Sequence, residues 1–479
     1  TATSSKRAED RKDPEIDARL TNLLGPPLDS KGLRAWPLLP SLLHGPRQGP
    51  SPEALRSIFL SLGVTAEELK GEPHTWRGVY SDFHGCVWKL DLDRRPISGR
   101  LDALSNLTAL RYLYLSDTGV TGSLQALAEM TELQKLWLDG TKVAGDLQPL
   151  FNLTMLKELF LRNTGVNGGL EPLGDMSELQ MLWLDGTRVA GDLQPLFKLT
   201  KLEELLLDDT RVSGGLQALG DMTELRQLWL HGTQVAGDPQ PLFKLTKLEE
   251  LLLQNTGVTG GLQALAEMTE LWKLSLEGTK VAGDLQALSK LTKLKQLSLK
   301  NTVVQGDLGV LMHLTNLMQA DLSGTRVSGR LTPAWRGQLL QLHTLDLKDS
   351  QVNFLPVGSD LEDLRATFFT EKTQQLLPAL VTLDVSLCPL DGAVENLLEP
   401  LSFAGHLASV RATGANLSGH LRTSCLREVS VDGETYGVKC TIPLLSSLQG
   451  LELADNKIHR IEGIPPTSTS PWRTTRRHT

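Results

Sequence analysis

The stretch Leu110–Leu133, LRYLYLSDTGVTGSLQALAEMTEL, returns along the chain at a fixed interval and decides the fold. When the sequence is shifted by 23 residues against itself, the match runs without a gap from about residue 84 to residue 331. Threonine recurs ten times from Thr118 to Thr325, each time with valine two residues later and glycine two beyond that. A fixed period of this length predicts a solenoid, in which each coil buries its apolar residues against its neighbours.

The spacing within one unit predicts a short strand followed by a tight return. Leu113 and Leu115 are two residues apart, so both point to one face of a strand near residues 112–116. We expect the Thr118 hydroxyl to bond the backbone of its own turn and of the neighbouring coil, and Gly122 to permit the next bend. Apolar residues three apart then suit a 3₁₀ turn on the return side; these are Leu124, Leu127 and Met130.

The pattern LxxLxLxxTxVxGxL, as it stands from Leu110 to Leu124, resembles the leucine-rich repeat superfamily, with threonine where most members carry asparagine. The glycine and the leucine after it are similar to the plant receptor subtype, although no Ile-Pro follows the glycine. The resemblance implies an α/β solenoid, a horseshoe with a parallel concave sheet and short 3₁₀, helical or irregular convex segments.

The sequence before the repeats also resembles a known element. WRGVY at 76–80 and GCVWKLDL at 85–92 are similar to the N-terminal cap of plant leucine-rich repeat receptors. Pro52–Leu62 would form the helix of that cap. The paired cysteines common in such caps are absent, since Tyr80 stands where one is expected.

The pattern divides the chain into five segments. Residues 1–50 form a polar leader with one weak helix at Pro14–Leu24, residues 51–83 form the cap, and residues 84–337 form the regular units. Residues 338–463 continue as irregular units with an insertion near 357–374, and residues 464–479 form a basic tail; the leader and the tail are predicted to be disordered. Four cysteines are too few for a disulfide framework, although Cys425 and Cys440 are candidates for a pair.

The residue between the two buried leucines of each strand points to the concave face, and these residues form a column across the array. Seven successive units place a large apolar side chain there, after which serine and aspartate continue the column. At a strand separation of about 4.8 Å we expect an exposed ridge about 29 Å long, and soluble proteins seldom leave such a ridge unused. This ridge column consists of Tyr114, Trp137, Phe160, Trp183, Leu206, Trp229 and Leu252.

Two residues further along each unit lies a second column, which we name the outer column. It is mostly acidic beside the ridge, and we expect its carboxylates to form a solvated face. The two columns together predict a partner with an apolar stripe flanked by basic groups. The members assigned to partner binding are Asp139, Arg162, Asp185, Asp208 and His231, and Ser116, Gln254, Glu277 and Lys300 complete the column.

Alternate units are more alike than adjacent ones, so the duplicated block is 46 residues, or two coils. Three of the ridge tryptophans lie in copies of this block, MTELQKLWLDGT, MSELQMLWLDGT and MTELRQLWLHGT, and count as one observation repeated. Two interpretations therefore stand. The ridge binds a partner, or it was inherited during expansion of the array and is covered by flanking loops or the leader.

The sequence contains no arrangement typical of catalysis. It has no phosphate-binding glycine loop, HExxH, CxxC pair or GxSxG motif. The ten histidines are scattered, with His231 and His313 in different units, so we expect no metal, no cofactor and no enzymatic activity. The net charge of −8, with basic residues concentrated near the termini, argues against nucleic acid as the main partner.

Three functional hypotheses follow. The first is a non-catalytic scaffold, a monomer, that binds a protein or peptide on its concave face. The second is an ectodomain or fragment of a receptor-like protein, including a receptor kinase, that recognises an extracellular ligand. The third is the targeting region of an enzyme whose catalytic domain lies outside this chain. Few cysteines and no visible signal peptide or membrane span favour the cytoplasm, with the plasma membrane or extracellular space as the alternative.

Overall fold

The computed structural model describes residues 49–82, 84–330, 335, 338–353, 377–390, 392–393, 397, 406–422, 429–431, 434–436 and 448–462. All of them belong to one of the two units into which the chain divides, Gln48–Thr479. Outside the described residues lie the Pro14–Leu24 helix, the 357–374 insertion, the Cys425–Cys440 pair and the basic tail.

A small cap begins the array. Helix α1 spans Pro52–Ser61, one residue shorter than expected, and begins with proline at its first position, where no amide donor is needed. Phe59 on its buried face meets the Trp76 ring edge-on, with centroids 5.7 Å apart. Strand β1, Val79–Ser81, then pairs antiparallel with strand β2, Val87–Asp91. Because β2 also pairs with the strand of the first full unit, the cap is continuous with the array.

Apart from one antiparallel hairpin near its end, the concave sheet is parallel from β2 onward, as the repeat predicts. One three-residue strand from each coil joins it, and each strand pairs with the equivalent residues of the next coil, for example Trp137 with Phe160. Val429–Val431 and Glu434–Tyr436 add a hairpin near its end. The coil strands are Tyr112–Tyr114, Lys135–Trp137, Glu158–Phe160, Met181–Trp183, Glu204–Leu206, Gln227–Trp229, Glu250–Leu252, Lys273–Ser275, Gln296–Ser298, Gln319–Asp321, Thr344–Asp346, Thr382–Asp384, Ser409–Arg411 and Gly450–Glu452.

The expected 3₁₀ turns occur on the return side of the coils from Leu101 to His313, and one more lies in the cap. Leucines and alanines of the coil segments pack inward and continue the leucine core, which runs from Leu55 in the cap to Leu453. The 3₁₀ segments are Pro73–Thr75, Leu101–Leu104, Leu124–Leu127, Gln148–Leu150, Glu171–Leu173, Gln194–Lys198, Leu216–Leu219, Gln240–Lys244, Leu262–Leu265, Leu285–Leu288 and Leu308–His313.

A second parallel sheet, which the sequence reasoning did not predict, follows the threonine of each coil. Its strands carry the recurring valine inward and the recurring glycine at positive φ, as at Gly122 with φ 113°. The eleven strands are Thr121–Ser123, Lys142–Asp146, Gly165–Gly168, Arg188–Asp192, Arg211–Gly215, Gln234–Gly237, Gly257–Gly261, Lys280–Asp284, Val303–Asp307, Arg326–Gly329 and Gln351–Val352. A third sheet joins Gly392–Ala393, Leu417–Arg422 and Lys457–Glu462.

The ten buried threonines stabilise their own turns. Thr118 Oγ1 donates to the Leu115 carbonyl at 2.7 Å, and the other nine donate in the same way to the leucine three residues earlier. The expected hydroxyl bond to the neighbouring coil is wrong for these residues. The backbone makes that link instead, since the Asp117 amide donates to the Asp139 carbonyl at 2.7 Å.

Ion pairs join successive coils on the return side. In three coil pairs the acidic side chains lie in one coil and the lysines in the next, at the 46-residue spacing of the duplicated block. The pairs are Lys198–Asp175, Lys201–Glu178, Lys244–Asp221, Lys247–Glu224, Lys290–Glu267 and Lys293–Glu270. These side chains are exposed, so solvent screening leaves each pair with little effect on stability.

Candidate functional site

The parallel register assembles the ridge column in the predicted order. Trp137 lies between Tyr114 and Phe160, Leu206 lies between Trp183 and Trp229, and Leu252 follows. Seven side chains separated by 23 residues in sequence therefore lie side by side across seven strands.

The first four side chains of the ridge column form a continuous stack of aromatic rings. Centroids lie 4.5 Å apart for Tyr114 and Trp137, 5.1 Å for Trp137 and Phe160, and 4.0 Å for Phe160 and Trp183. The last two pairs are nearly parallel, with interplanar angles of 19° and 9°. Stacked rings of this kind contribute about 0.5–1.5 kcal/mol per pair beyond their area burial.

This packing corrects the expectation of a fully exposed ridge. Phe160, Leu206 and Leu252 are buried, with 5%, 3% and 4% of their surface exposed. Tyr114, Trp137, Trp183 and Trp229 are half-buried. Adjacent strands lie so close together that large side chains in one column cover each other's faces. A side chain can therefore point toward solvent and still be buried.

Glutamates of the first strand position, which the sequence reasoning missed, hold the tryptophans. Trp137 Nε1 donates to Glu158 Oε2 at 2.9 Å, and Trp183 Nε1 donates to Glu204 Oε2 at 3.0 Å. Lys135 pairs with Glu158 at 2.9 Å. The sequence signal for this contact was that tryptophan in one coil of the two-coil block alternates with glutamate in the next coil.

The outer column is more buried than a solvated face. Asp185 and Asp208 are 3% and 7% exposed, which makes that expectation wrong for these two residues, while Asp139 is half-buried. Asp139 Oδ1 accepts the Arg162 amide at 2.9 Å, and Arg162 Nε lies 2.5 Å from Asp185 Oδ2. Burial raises the pKa of Asp139 to about 7 and the pKa values of Asp185 and Asp208 to about 6.

His231 lies next to this acidic group in the following coil. Its Nε2 is 3.4 Å from Asp208 Oδ2, and burial lowers its pKa, so the ring is mainly neutral at pH 7. Together with the exposed Asp209, these residues offer three ligand atoms within 4.8 Å of one another. Within the described part of the chain, this is the group that could hold a metal ion.

Several buried polar atoms on this face have no hydrogen-bond partner among the described residues. Four of them occur in successive coils of the outer column, beside the stretch of ridge from Trp183 to Leu252. They are Asp185 Oδ1, Asp208 Oδ1, His231 Nδ1 and Gln254 Oε1; Ser116 Oγ is a fifth, nearer the cap. Buried polar groups are normally paired, so a run of unpaired atoms in one column is unusual.

The ridge ends in a hollow of about 420 Å³. It opens where the column changes from Leu252 to Ser275 and Ser298, because serine leaves the space that an aromatic ring fills elsewhere. Gln254, Lys273 and Asp321 also line it. The two serines in the ridge column were the sequence signal for this hollow, which was not predicted.

Comparison with solved structures identifies the fold. The Arabidopsis receptor kinase HAESA ectodomain, solved with a peptide hormone ligand, is 22% identical to this chain with a TM-score of 0.66. The match covers 85% of this chain and 65% of that one. The chain has the leucine-rich repeat fold. No family model and no curated protein matches its sequence.

Two further structures share this leucine-rich repeat fold. The ectodomain of the Arabidopsis thaliana membrane receptor kinase GASSHO1/SCHENGEN3 is 22% identical, with a TM-score of 0.61 over 74% of this chain and 40% of that one. A leucine-rich repeat protein of Leptospira interrogans is 21% identical, with a TM-score of 0.54 over 78% and 85%. The chain thus spans about two-fifths of one plant ectodomain and two-thirds of the other. Among its described helices, none has the length and apolarity to cross a membrane.

Proposed function

We propose that this leucine-rich repeat array is a non-catalytic scaffold whose concave face binds a protein or peptide. The ligand would lie along the ridge column from Tyr114 to Leu252 and contact Asp139, Arg162, Asp185, Asp208 and His231. One observation carries the proposal: unpaired buried polar atoms occur in four successive coils, beside a stretch of ridge that contains the half-buried Trp183 and Trp229. A ligand in this position would supply both the hydrogen bonds and the apolar contact, and tryptophan is a frequent binding anchor.

Recognition of a peptide by a receptor-like ectodomain is the second candidate. It is motivated by the HAESA ectodomain, which shares this fold and was solved with a peptide hormone ligand. The receptor candidate and the scaffold candidate use the same surface and differ in what the chain is attached to.

Trp229 is the best residue for testing the face. Trp137 and Trp183 both stack on Phe160, so truncating all three tryptophans would remove folding energy as well as binding surface. Trp229 has the buried Leu206 and Leu252 as neighbours in the column, and its own ring is half-exposed. Phe243 is a matched control, since it is 48% exposed and lies in a 3₁₀ segment of the return side.

The experiment uses a displayed library of random 15-residue peptides, selected on the purified chain. Dissociation constants of the enriched peptides are then measured by fluorescence polarisation. We expect Trp229→Ala to weaken binding about 30-fold, the typical cost of losing an aromatic anchor, and Phe243→Ala to leave it unchanged. Peptides that bind Trp229→Ala as tightly as wild type but lose affinity for Phe243→Ala would assign binding to the return side and refute the proposal.

A further inference from the structure

The carboxylates of Asp185 and Asp208 occupy equivalent positions in adjacent coils. The register of their strands is fixed by the pairing of Trp183 with Leu206, and the Gly186 amide donates to the Asp208 carbonyl at 3.0 Å. Adjacent parallel strands are about 4.8 Å apart. The side chains of Asp185 and Asp208 are 4% and 11% exposed, and each keeps one oxygen without a hydrogen-bond partner among the described residues.

The positive charge near Asp185 and Asp208 does not balance the negative charge of their two carboxylates. Arg162 Nε lies on Asp185 Oδ2, which leaves Asp185 Oδ1 unpaired. Asp208 makes no ion pair with a lysine or arginine of the described chain; its near neighbour is the imidazole of His231, whose Nε2 lies 3.4 Å from Asp208 Oδ2. The exposed Asp209 adds further negative charge. A buried carboxylate without a cation is costly, and a cation supplied by a ligand would offset that cost.

We propose that Asp185 and Asp208 bind the guanidinium of an arginine in the partner, a step that rests on the proposed binding at the concave face. A guanidinium is planar and offers several N–H donors in a fixed fork, so one group reaches acceptors on two neighbouring coils. It is also weakly hydrated and stacks on aromatic rings, and half-exposed Trp183 and Trp229 lie on either side of Leu206 next to the two aspartates. A lysine ammonium is a point charge and meets fewer of these requirements.

The test compares arginine with its uncharged isostere. A peptide enriched on the wild-type chain is synthesised with arginine, lysine or citrulline at each basic position, and all binding is measured in EDTA. At one position we expect citrulline to weaken binding about 30-fold, because the charge of the guanidinium is lost. Lysine should weaken binding about 10-fold there, because it keeps the charge but not the forked pair of N–H donors. Asp208→Asn should remove most of this discrimination while retaining the affinity for the citrulline peptide.

Two control variants separate this inference from the proposed function. Glu277→Gln changes a carboxylate of the same outer column that is already paired with Lys300 at 3.2 Å, and it should leave the preference for arginine intact. Trp229→Ala should weaken the arginine and citrulline peptides alike.

Three outcomes would overturn the inference. The first is equal affinity for arginine and citrulline peptides with Trp229 still required, which would leave the proposed function standing. The second is discrimination that survives Asp208→Asn. The third is a preference for arginine that is absent in EDTA and appears only on adding Zn²⁺, which would assign the site to a metal. Loss of the Trp229 requirement itself would refute the proposed function instead.

Discussion

Replacing Asp208 by asparagine should stabilise the array above pH 6 and leave its stability unchanged in acid. Burial raises the pKa of Asp208 from an ordinary 3.8 to about 6, against the favourable charge of Arg162. Two pKa units correspond to about 3 kcal/mol of preference for the neutral form, with little solvent screening because the side chain is 11% exposed. Asparagine keeps the shape and, like the protonated carboxyl, is neutral, so we expect a gain of about 3 kcal/mol at pH 7.5, the full preference for the neutral form.

The pH dependence gives the sign of the effect. Because the folded-state pKa is the higher one, the folded protein binds more protons than the unfolded chain between pH 3.8 and about 6, and stability conferred by this group is lost as the pH rises through that window. Urea unfolding of wild type and Asp208→Asn, followed by tryptophan fluorescence, should therefore give equal free energies of unfolding at pH 3.5 and diverge by pH 7.5. Glu129→Gln, at an exposed position, should change stability by less than about 0.5 kcal/mol at both pH values. A variant that is destabilised at pH 7.5, or stabilised equally at both pH values, would refute the reasoning.

Three other substitutions test the framework by urea unfolding. Thr210→Val should cost about 1 kcal/mol, because it removes a buried hydroxyl bonded to a carbonyl, whereas Thr210→Ser should retain most of the stability; equal losses would contradict this role. Gly214→Ala should destabilise more than Gly237→Ala, since both have positive φ but a new Cβ would lie 2.5 Å from Asp192 Oδ2 only at Gly214. Phe160→Leu should cost about 1–2 kcal/mol and change the near-ultraviolet circular dichroism of the adjacent tryptophans, because it breaks the stack; an unchanged spectrum would show that the rings do not interact.

Sequence reasoning predicted the parts of the fold that depend on one unit. Leu113 and Leu115 determine a strand through local spacing, and repetition then forces the strands into parallel register. Gly122, expected at a bend, lies instead in the strand Thr121–Ser123, with a positive φ. The second sheet was missed, although the recurring valine and glycine carry the signal, because the extended segment after each threonine pairs only with its copy in the next coil.

The sequence predicted which residues belong to the candidate site better than it predicted how exposed each of them is. The alternation of a strand determines the face on which Phe160 and Asp185 lie, and both lie where the pattern puts them. Their burial depends on the size of the neighbours above and below in the column, a property of several coils at once. The same reason hid the hydrogen bond from Trp137 to Glu158, which joins residues of different strands and different columns.

The alternation of two unlike coils limits how such an array can change in length. Trp137 and Trp183 each donate to a glutamate in the next coil, and on the return side three acidic coils, from Asp175 to Glu270, are each followed by a lysine coil. Removing one of these lysine coils would bring acidic side chains against acidic ones, whereas removing an acidic coil together with its lysine coil would restore the ion pairs. Viable relatives of this array should therefore differ by even numbers of coils within residues 175–293, and recombination between these copies is constrained to a step of 46 residues.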